Sequence, residues 1–296
     1  MSITPEDIKR VKGEGFLLNR GTQCFSGRII TENGTLTAGQ LICLGEAARE
    51  YGSGTVAFTT RMTVEVPGIP YESIPAFQSY IAREGMVTGG TGARVRPVTS
   101  CKGTTCVFGL YDTQALAREL HQRFYEGCHS LTLPHKFKIA VGGCPNNCVK
   151  PELNDLGLVG QRVPQYKPEL CRGCKKCQVA EACPMKAATL PQGEKMALDA
   201  ARCNHCGRCA SACPFGALAC GETRYKVYVG GRWGKEIRIG TPLSTLVARE
   251  EVPAVVERAI LLFQREGLPG ERFGSTVERL GMARVEAELL GSPARG

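Results

Sequence analysis

Three cysteines two residues apart, then a fourth followed by proline, occur twice in this chain. The first run is Cys171, Cys174, Cys177 and Cys183-Pro184, and the second is Cys203, Cys206, Cys209 and Cys213-Pro214. Each triplet forces a tight loop that wraps three corners of one iron–sulfur cube. In two-cluster ferredoxins the fourth cysteine of each run ligates the other cluster. One cluster is therefore expected on Cys171, Cys174, Cys177 and Cys213, and a second on Cys203, Cys206, Cys209 and Cys183. The first run departs from the usual spacing, with five residues before Cys183 where the second has three before Cys213. Zinc ribbons also use paired cysteines and stand as the alternative, but they do not use a run that closes on Cys-Pro.

A third set is split, Cys101 with Cys106 and Cys144 with Cys148. Either pair alone is a weak signal, and its surroundings decide. Gly142-Gly143 precede Cys144-Pro145-Asn146-Asn147-Cys148 in a loop after a predicted strand, so the backbone there can approach a large flat group closely. Upstream, Lys136 and Lys138 alternate and so share one face of that strand. Arg61 follows Thr59-Thr60, and Arg96 precedes Pro97-Val98. Any one of these cations alone reads as a solvated surface charge. The other cysteines, Cys24, Cys43, Cys128 and Cys220, read as small buried apolar residues. The four histidines show no ligand spacing, and Gly89-Gly90-Thr91-Gly92 lacks the strand–turn–helix context of a dinucleotide fingerprint.

Sixteen cysteines in a small secreted chain would suggest disulfides. In 296 residues whose first ten are polar and carry acidic groups, metal ligation in a reducing cytoplasm is the better reading. No apolar run approaches the roughly 20 residues of a membrane span. The formal charge of +9 does not argue for nucleic acid. Three cubanes with their thiolates would offset about six positive charges, and no nucleic-acid-binding signature accompanies the surplus.

The pattern is α+β. Residues 29–36 read as strand, turn and a second start, Thr37 caps a helix over 38–51, and 55–66 alternates as one strand stopped by Pro67. Helices are expected over 73–84 and, capped by Asp112, over 113–125. Short strands are expected at 137–141 and 156–159, with a linker at 163–168. Strand pattern resumes at 225–229 and 237–239. Two helices follow, over 253–266 and 275–290, the latter opened by a Ser275/Glu278 capping box. The stretch up to Lys12 shows no clear pattern. With regular structure on both sides, the cysteine-rich block is an insert: 1–166, 167–222 and 223–296 are the expected segments.

At this point the chain resembles the sulfite and nitrite reductases that couple sirohaem to a 4Fe–4S cluster. The resembling pieces are Thr59-Thr60-Arg61, Arg96-Pro97-Val98, Leu133-Pro134-His135-Lys136-Phe137-Lys138, Gly143-Cys144-Pro145-Asn146-Asn147-Cys148 and Thr276-Val277-Glu278-Arg279-Leu280-Gly281. They span most of the chain in the family's order. The ferredoxin insert and the single half-repeat are most like the C subunit of anaerobic sulfite reductases. The resemblance implies a half-repeat with a ferredoxin-like part, a sirohaem-binding part and an inserted two-cluster ferredoxin, hence three 4Fe–4S clusters in all. It implies that Cys101, Cys106, Cys144 and Cys148 hold the coupled cluster, with Cys148 bridging to the sirohaem iron. Arg61, Arg96, Lys136 and Lys138 would face the substrate, and Arg28, Arg94, Lys102 and Asn146 would contact the sirohaem. The implied activity is six-electron reduction of sulfite to sulfide, with a ferredoxin or flavin- and iron–sulfur-bearing subunits as donor. In the family's assimilatory nitrite reductases an asparagine stands at the second lysine, so Lys138 favours sulfite. A nitrite reductase of the same fold and a non-catalytic electron-transfer subunit remain the alternatives. Because one half-repeat carries both the cations and the cysteines, the resemblance also implies a homodimer or a hetero-oligomer.

Overall fold

In the computed structural model, which describes residues 3–191 and 194–291, the chain builds three hydrophobic cores. The first begins with α1 (Pro5–Gly13), capped by a reciprocal Thr4/Asp7 pair that the sequence pattern does not single out. Strands β1 (Phe16–Leu18) and β2 (Cys24–Ile29) lead to α2 (Ala38–Tyr51), where Thr37 and Gln40 form the capping box and Gly52 ends the helix. Next come β3 (Ala57–Phe58), β4 (Val64–Pro70) and α3 (Ile74–Ile81). The sheet is antiparallel in the order β1-β2-β4-β3, and Phe16, Phe25, Leu44, Ile69 and Phe77 fill the space beneath the helices.

Two features correct the single strand expected over 55–66. Thr59–Met62 turn back on themselves, with Thr59 Oγ1 bonded to Thr63 Oγ1 at 2.7 Å and Met62 at φ 57°. Pro67 does not stop β4. It sits where the pairing with β2 shifts register between Phe25 and Gly27, a bulge that spares the missing N–H.

The second core surrounds a five-stranded sheet. Its strands are β5 (Thr99–Ser100), β6 (Ile139–Gly142) and β7 (Leu156–Gln161), all parallel, followed by antiparallel β12 (Arg224–Val229) and β13 (Thr241–Pro242). The first crossover holds α4 (Thr113–Leu120), capped by Asp112, which widens into a π-helical turn over His121–Glu126. Helices α6 (Val252–Glu266), α7 (Phe273–Leu280) and α8 (Met282–Leu290) supply apolar faces, with Phe137, Phe263 and Phe273 in mutual contact. The single helix expected over 275–290 is two, separated at Gly281. Ser275 lies inside α7, and Glu278 pairs with Arg238 at 2.7 Å instead of capping. Residues 237–239 make only an isolated bridge between Arg232 and Arg238.

The third body leaves the sheet after Gln161 and returns at Arg224, two residues that face each other across β7 and β12. It contains β8 (Pro164–Tyr166), α5 (Gln178–Ala182), β9 (Ala188–Thr189), β10 (Ala197–Leu198) and β11 (Leu218–Cys220). The segment expected as a linker is therefore part of this body, because β8 pairs with β11. Among the described residues no helix is long and apolar enough to cross a membrane.

Candidate active site and electron relay

Arg61, Arg96, Lys136 and Lys138 line one cavity of about 250 Å3, together with Arg28, Thr59, Thr60 and Thr63. Three separate elements deliver them. The turn before β4 offers Arg61, the segment entering β5 offers Arg96, and the segment entering β6 offers both lysines. Arg61 is held by Asn154 Oδ1 at 2.7 Å and by the Ile139 carbonyl at 2.8 Å, while its Nε is buried without a partner. Arg96 donates to the Gly90 carbonyl, and its Nε is likewise unpartnered. Arg28 is neutralised by Glu65 at 2.6 Å.

Crowding cations away from water disfavours their charged forms. Burial lowers Arg61 to about 9 and Arg96 to about 10, the latter helped by Arg28. Lys138 falls to about 8, first through burial and then through Arg61 and Lys136, and Lys136 is lowered by burial and by Arg272 and Arg96. A pocket in which four cations gain little from leaving water is one that an anion would stabilise. Behind it lies a pair that the sequence does not reveal. Asp155 is fully buried, accepts from Arg272 Nη2 at 2.9 Å, and accepts the Lys138 backbone N–H at 2.9 Å. Asp155 thereby fixes the start of β6 and the lysine it carries.

The split thiol set lies at the other end of the same strands. Cys101 follows β5, and Gly143-Cys144 follows β6. The Gly143 N–H points to Cys101 Sγ at 3.2 Å, and a Cβ on Gly143 would stand 3.1 Å from Gly103 Cα. Glycine is needed there for the two cysteine loops to meet. Cys144 feels the Cys101, Cys148 and Cys106 thiols, so the four are neighbours, and Cys148 is exposed. Between Lys138 and Cys144 run the four residues of β6 and Gly143, on the order of 15–20 Å of extended chain.

Of the remaining residues expected at the sirohaem, Lys102 is exposed beside Cys101 and Asn146 is exposed in the Cys144–Cys148 loop. Arg28 stands with the cations, and Arg94 lies apart from them against His129, 3.1 Å from its Nε2.

In the insert, Cys171, Cys174, Cys177 and Cys213 ring one cavity of about 230 Å3. Cys183, Cys203, Cys206 and Cys209 ring a second, much narrower hollow of about 20 Å3. In both the fourth thiol comes from the other run. This donor set suits two cubanes. Among the described residues, no three His, Cys, Asp or Glu side chains gather closely enough for one bare ion, as a zinc site requires. Cys220, read as a small apolar residue, lies 4.0 Å from Cys209 Sγ.

The two hollows are not equivalent. The Cys203-Asn204-His205 loop shares a cavity with Pro145 and Asn147 of the Cys144–Cys148 loop. His205 Nδ1 meets Gln161 Oε1 at 3.0 Å, and the His205 carbonyl accepts from Arg162 N at 2.8 Å. The Cys203 set therefore faces the sheet, whereas no described residue of the sheet lines the hollow of the Cys171 set.

Thiol tetrads and a buried cationic pocket in one chain are the features of an iron–sulfur oxidoreductase. The chain belongs to the nitrite and sulphite reductase family. The family's nitrite and sulphite reductase 4Fe–4S domain matches residues 91–294, and its ferredoxin-like half domain matches 18–83. The chain is 32% identical over 247 residues to the coenzyme F420-dependent sulfite reductase of Methanocaldococcus jannaschii, an alignment covering 82% of this chain and 38% of that protein. It is 28% identical over 315 aligned positions to the C subunit of the anaerobic sulfite reductase of Salmonella typhimurium, covering 98% and 90%. The fold is shared with dissimilatory sulfite reductase I (TM-score 0.72, 23% identity, 92% of this chain and 70% of that one). It is also shared with the NirA protein of Mycobacterium tuberculosis (TM-score 0.67, 18% identity, 99% and 48%). The architecture is the family's α+β half-repeat with an inserted cysteine-rich body.

Proposed function

We propose that the chain is the sirohaem-bearing subunit of a sulfite reductase that takes sulfite to sulfide with six electrons. The observation that carries this reading is the convergence of Arg61, Arg96, Lys136 and Lys138 on one small cavity. Cys148, Lys102 and Asn146, with Arg28 and Arg94 as the further contacts expected from either copy, would hold sirohaem, which would supply an iron for the sulfur of sulfite, and Cys101, Cys106, Cys144 and Cys148 would hold a 4Fe–4S cluster to feed it electrons. The protein's own groups do the rest. Arg61, immobilised by Asn154 and the Ile139 carbonyl, presents a fixed charge to a dianion. Arg96 and Lys136 add charge around the same volume, which polarises S–O bonds as oxygen leaves as water. Lys138, with a pKa of about 8, is charged near neutrality yet able to give up a proton. Segments 1–166 and 223–296 carry this chemistry, and segment 167–222 carries the relay. Within it the Cys171 set takes electrons from a ferredoxin or a flavin- and iron–sulfur-bearing subunit, and the Cys203 set hands them on.

The cations and the split thiol set of one chain stand at opposite ends of β5 and β6, too far apart to share a small substrate. The working site therefore combines Cys148 of one chain with Arg61, Arg96, Lys136 and Lys138 of a second copy or a homologous subunit. Co-expressing a Cys148→Ala chain with a Lys138→Ala chain tests this together with the activity. With one intact site in each mixed dimer, viologen-driven sulfite reduction should return to about a quarter of wild type, while each parent alone is inactive. Mixed dimers no more active than either parent would sink the shared site. A higher kcat/KM for nitrite than for sulfite in the wild type would move the assignment to nitrite reduction.

A further inference from the structure

The hollow ringed by Cys171, Cys174, Cys177 and Cys213 has a wall that the thiol motif does not explain. Tyr166, the last residue of β8, lines it. Its hydroxyl oxygen is shut off from water and has no hydrogen-bond partner. A buried hydroxyl left unpaired is destabilising, and β8 is tied in register to Leu218–Cys220, so the ring is held where it is. This unpaired hydroxyl and the Cys171 thiol line the same hollow, and both pack against the insert's small core. The Met196 N–H lies 3.5 Å from the same sulfur. A neutral thiol is a poor acceptor, but a thiolate that ligates iron is anionic and accepts a phenolic O–H well.

We propose that Tyr166 sets the potential of the outer cluster by donating its O–H to Cys171 Sγ. The inference rests on the reading that this tetrad holds an iron–sulfur cluster, and not on which anion is reduced. When the cluster takes one electron from an external donor, the donor loses one, and the added negative charge falls partly on the ligand sulfurs. A hydrogen bond to sulfur stabilises the reduced form and raises the potential. The proton stays on the tyrosine throughout. Because the Cys171 set lies away from the sheet, the effect falls on the cluster that first meets an electron donor.

The test uses the holoprotein with Tyr166→Phe, which removes one oxygen and keeps the ring. Potentiometric titration followed by electron paramagnetic resonance should show one cluster moving to a more negative midpoint while the others hold still. A Cys213→Ser chain, altered only in the outer tetrad, identifies which signal belongs to it. In the same Tyr166→Phe protein the iron–sulfur stretching bands of that cluster should shift, which a purely structural role would not cause. The proposal is overturned if the outer midpoint stays in place, if the inner cluster moves instead, or if iron counting finds no cluster on this tetrad. Sulfite turnover is assayed separately, so its absence would count against the proposed activity and leave the midpoint result standing.

Discussion

Lys138 is a pocket group whose charge changes close to neutral pH. Burial, Arg61 and Lys136 hold it at about 8, against an ordinary lysine near 10.5. In the free protein it is charged below about pH 8 and neutral above. With Lys138 protonated the pocket holds four facing cations, and with it neutral one is lost. The kcat/KM for sulfite should therefore show a falling limb centred near pH 8 that drops by up to about tenfold per pH unit. A Lys138→Arg chain keeps its charge, so that limb should move upward, at the cost of a lower plateau because arginine does not release a proton. Rate profiles of the two proteins check this, and the same falling limb in both would remove Lys138 from the assignment. Each of the four cations alone reads as a surface charge, and only the resemblance carried by their short local motifs singled them out together. Asp155 and Arg272 were not singled out. They are 117 residues apart, and neither lies in a pattern that pairs them. The pairing of β6 with β7 puts the carboxylate under the Lys138 backbone N–H, and the start of α7 brings Arg272 to it.

Elements were legible where a local signal decided them. Thr37 marked the start of α2, where the structure adds Gln40 as its capping partner, and Gly52 ends the helix. The same logic misread the C-terminus, where apolar spacing runs on from α7 into α8 and conceals the break between them. Gly281 stands at φ 82° and ψ 140°, a conformation that side chains avoid. Two helices with different directions can then each bury a face, Phe273 and Val277 from one and Val285 and Leu289 from the other. Gly281→Ala separates the two readings. In a continuous helix alanine would stabilise by up to about 1 kcal/mol. At this backbone it should destabilise by roughly 1–3 kcal/mol, even though no heavy atom lies within 4 Å of the added carbon. Urea unfolding gives the sign directly, and a gain in stability would mean that the helices are joined. The turn at Thr59–Met62 was hidden for a related reason. Alternation continues through it, and the reversal depends on Thr59 bonding back to Thr63.

At the scale of the whole molecule, the three bodies do not stand on equal terms. The sheet core and the first core hold large contiguous sets of buried apolar side chains, whereas the described residues of the insert bury a small cluster of Val179, Ala188, Met196 and Leu218 with thiols packed against it, and the small side chains of Ala187 and Ala217. So few side chains cannot offset the entropy of ordering some sixty residues at about 1–2 kcal/mol of backbone cost each. In the proposed holoprotein sulfur–iron bonds would supply the balance, as metals do in other domains too small for a core of their own. The cysteine spacing already carries this signal in the sequence. It does not show that the inner loop rests on the body through His205 and Gln161, because that contact depends on where β7 ends. Removing iron under anaerobic chelation should therefore unfold the protein unevenly. Amide exchange between Arg162 and Thr223 should rise to that of an open chain, while α2, β4, β6, β7 and α6 keep their protection. The His205–Arg162 backbone bond should open with the insert. If protection is instead lost everywhere at once, the clusters support the whole molecule and the insert is not an independent folding unit. If the iron-free insert stays protected, its few buried side chains and short strand pairs are enough, and the clusters serve electron transfer alone.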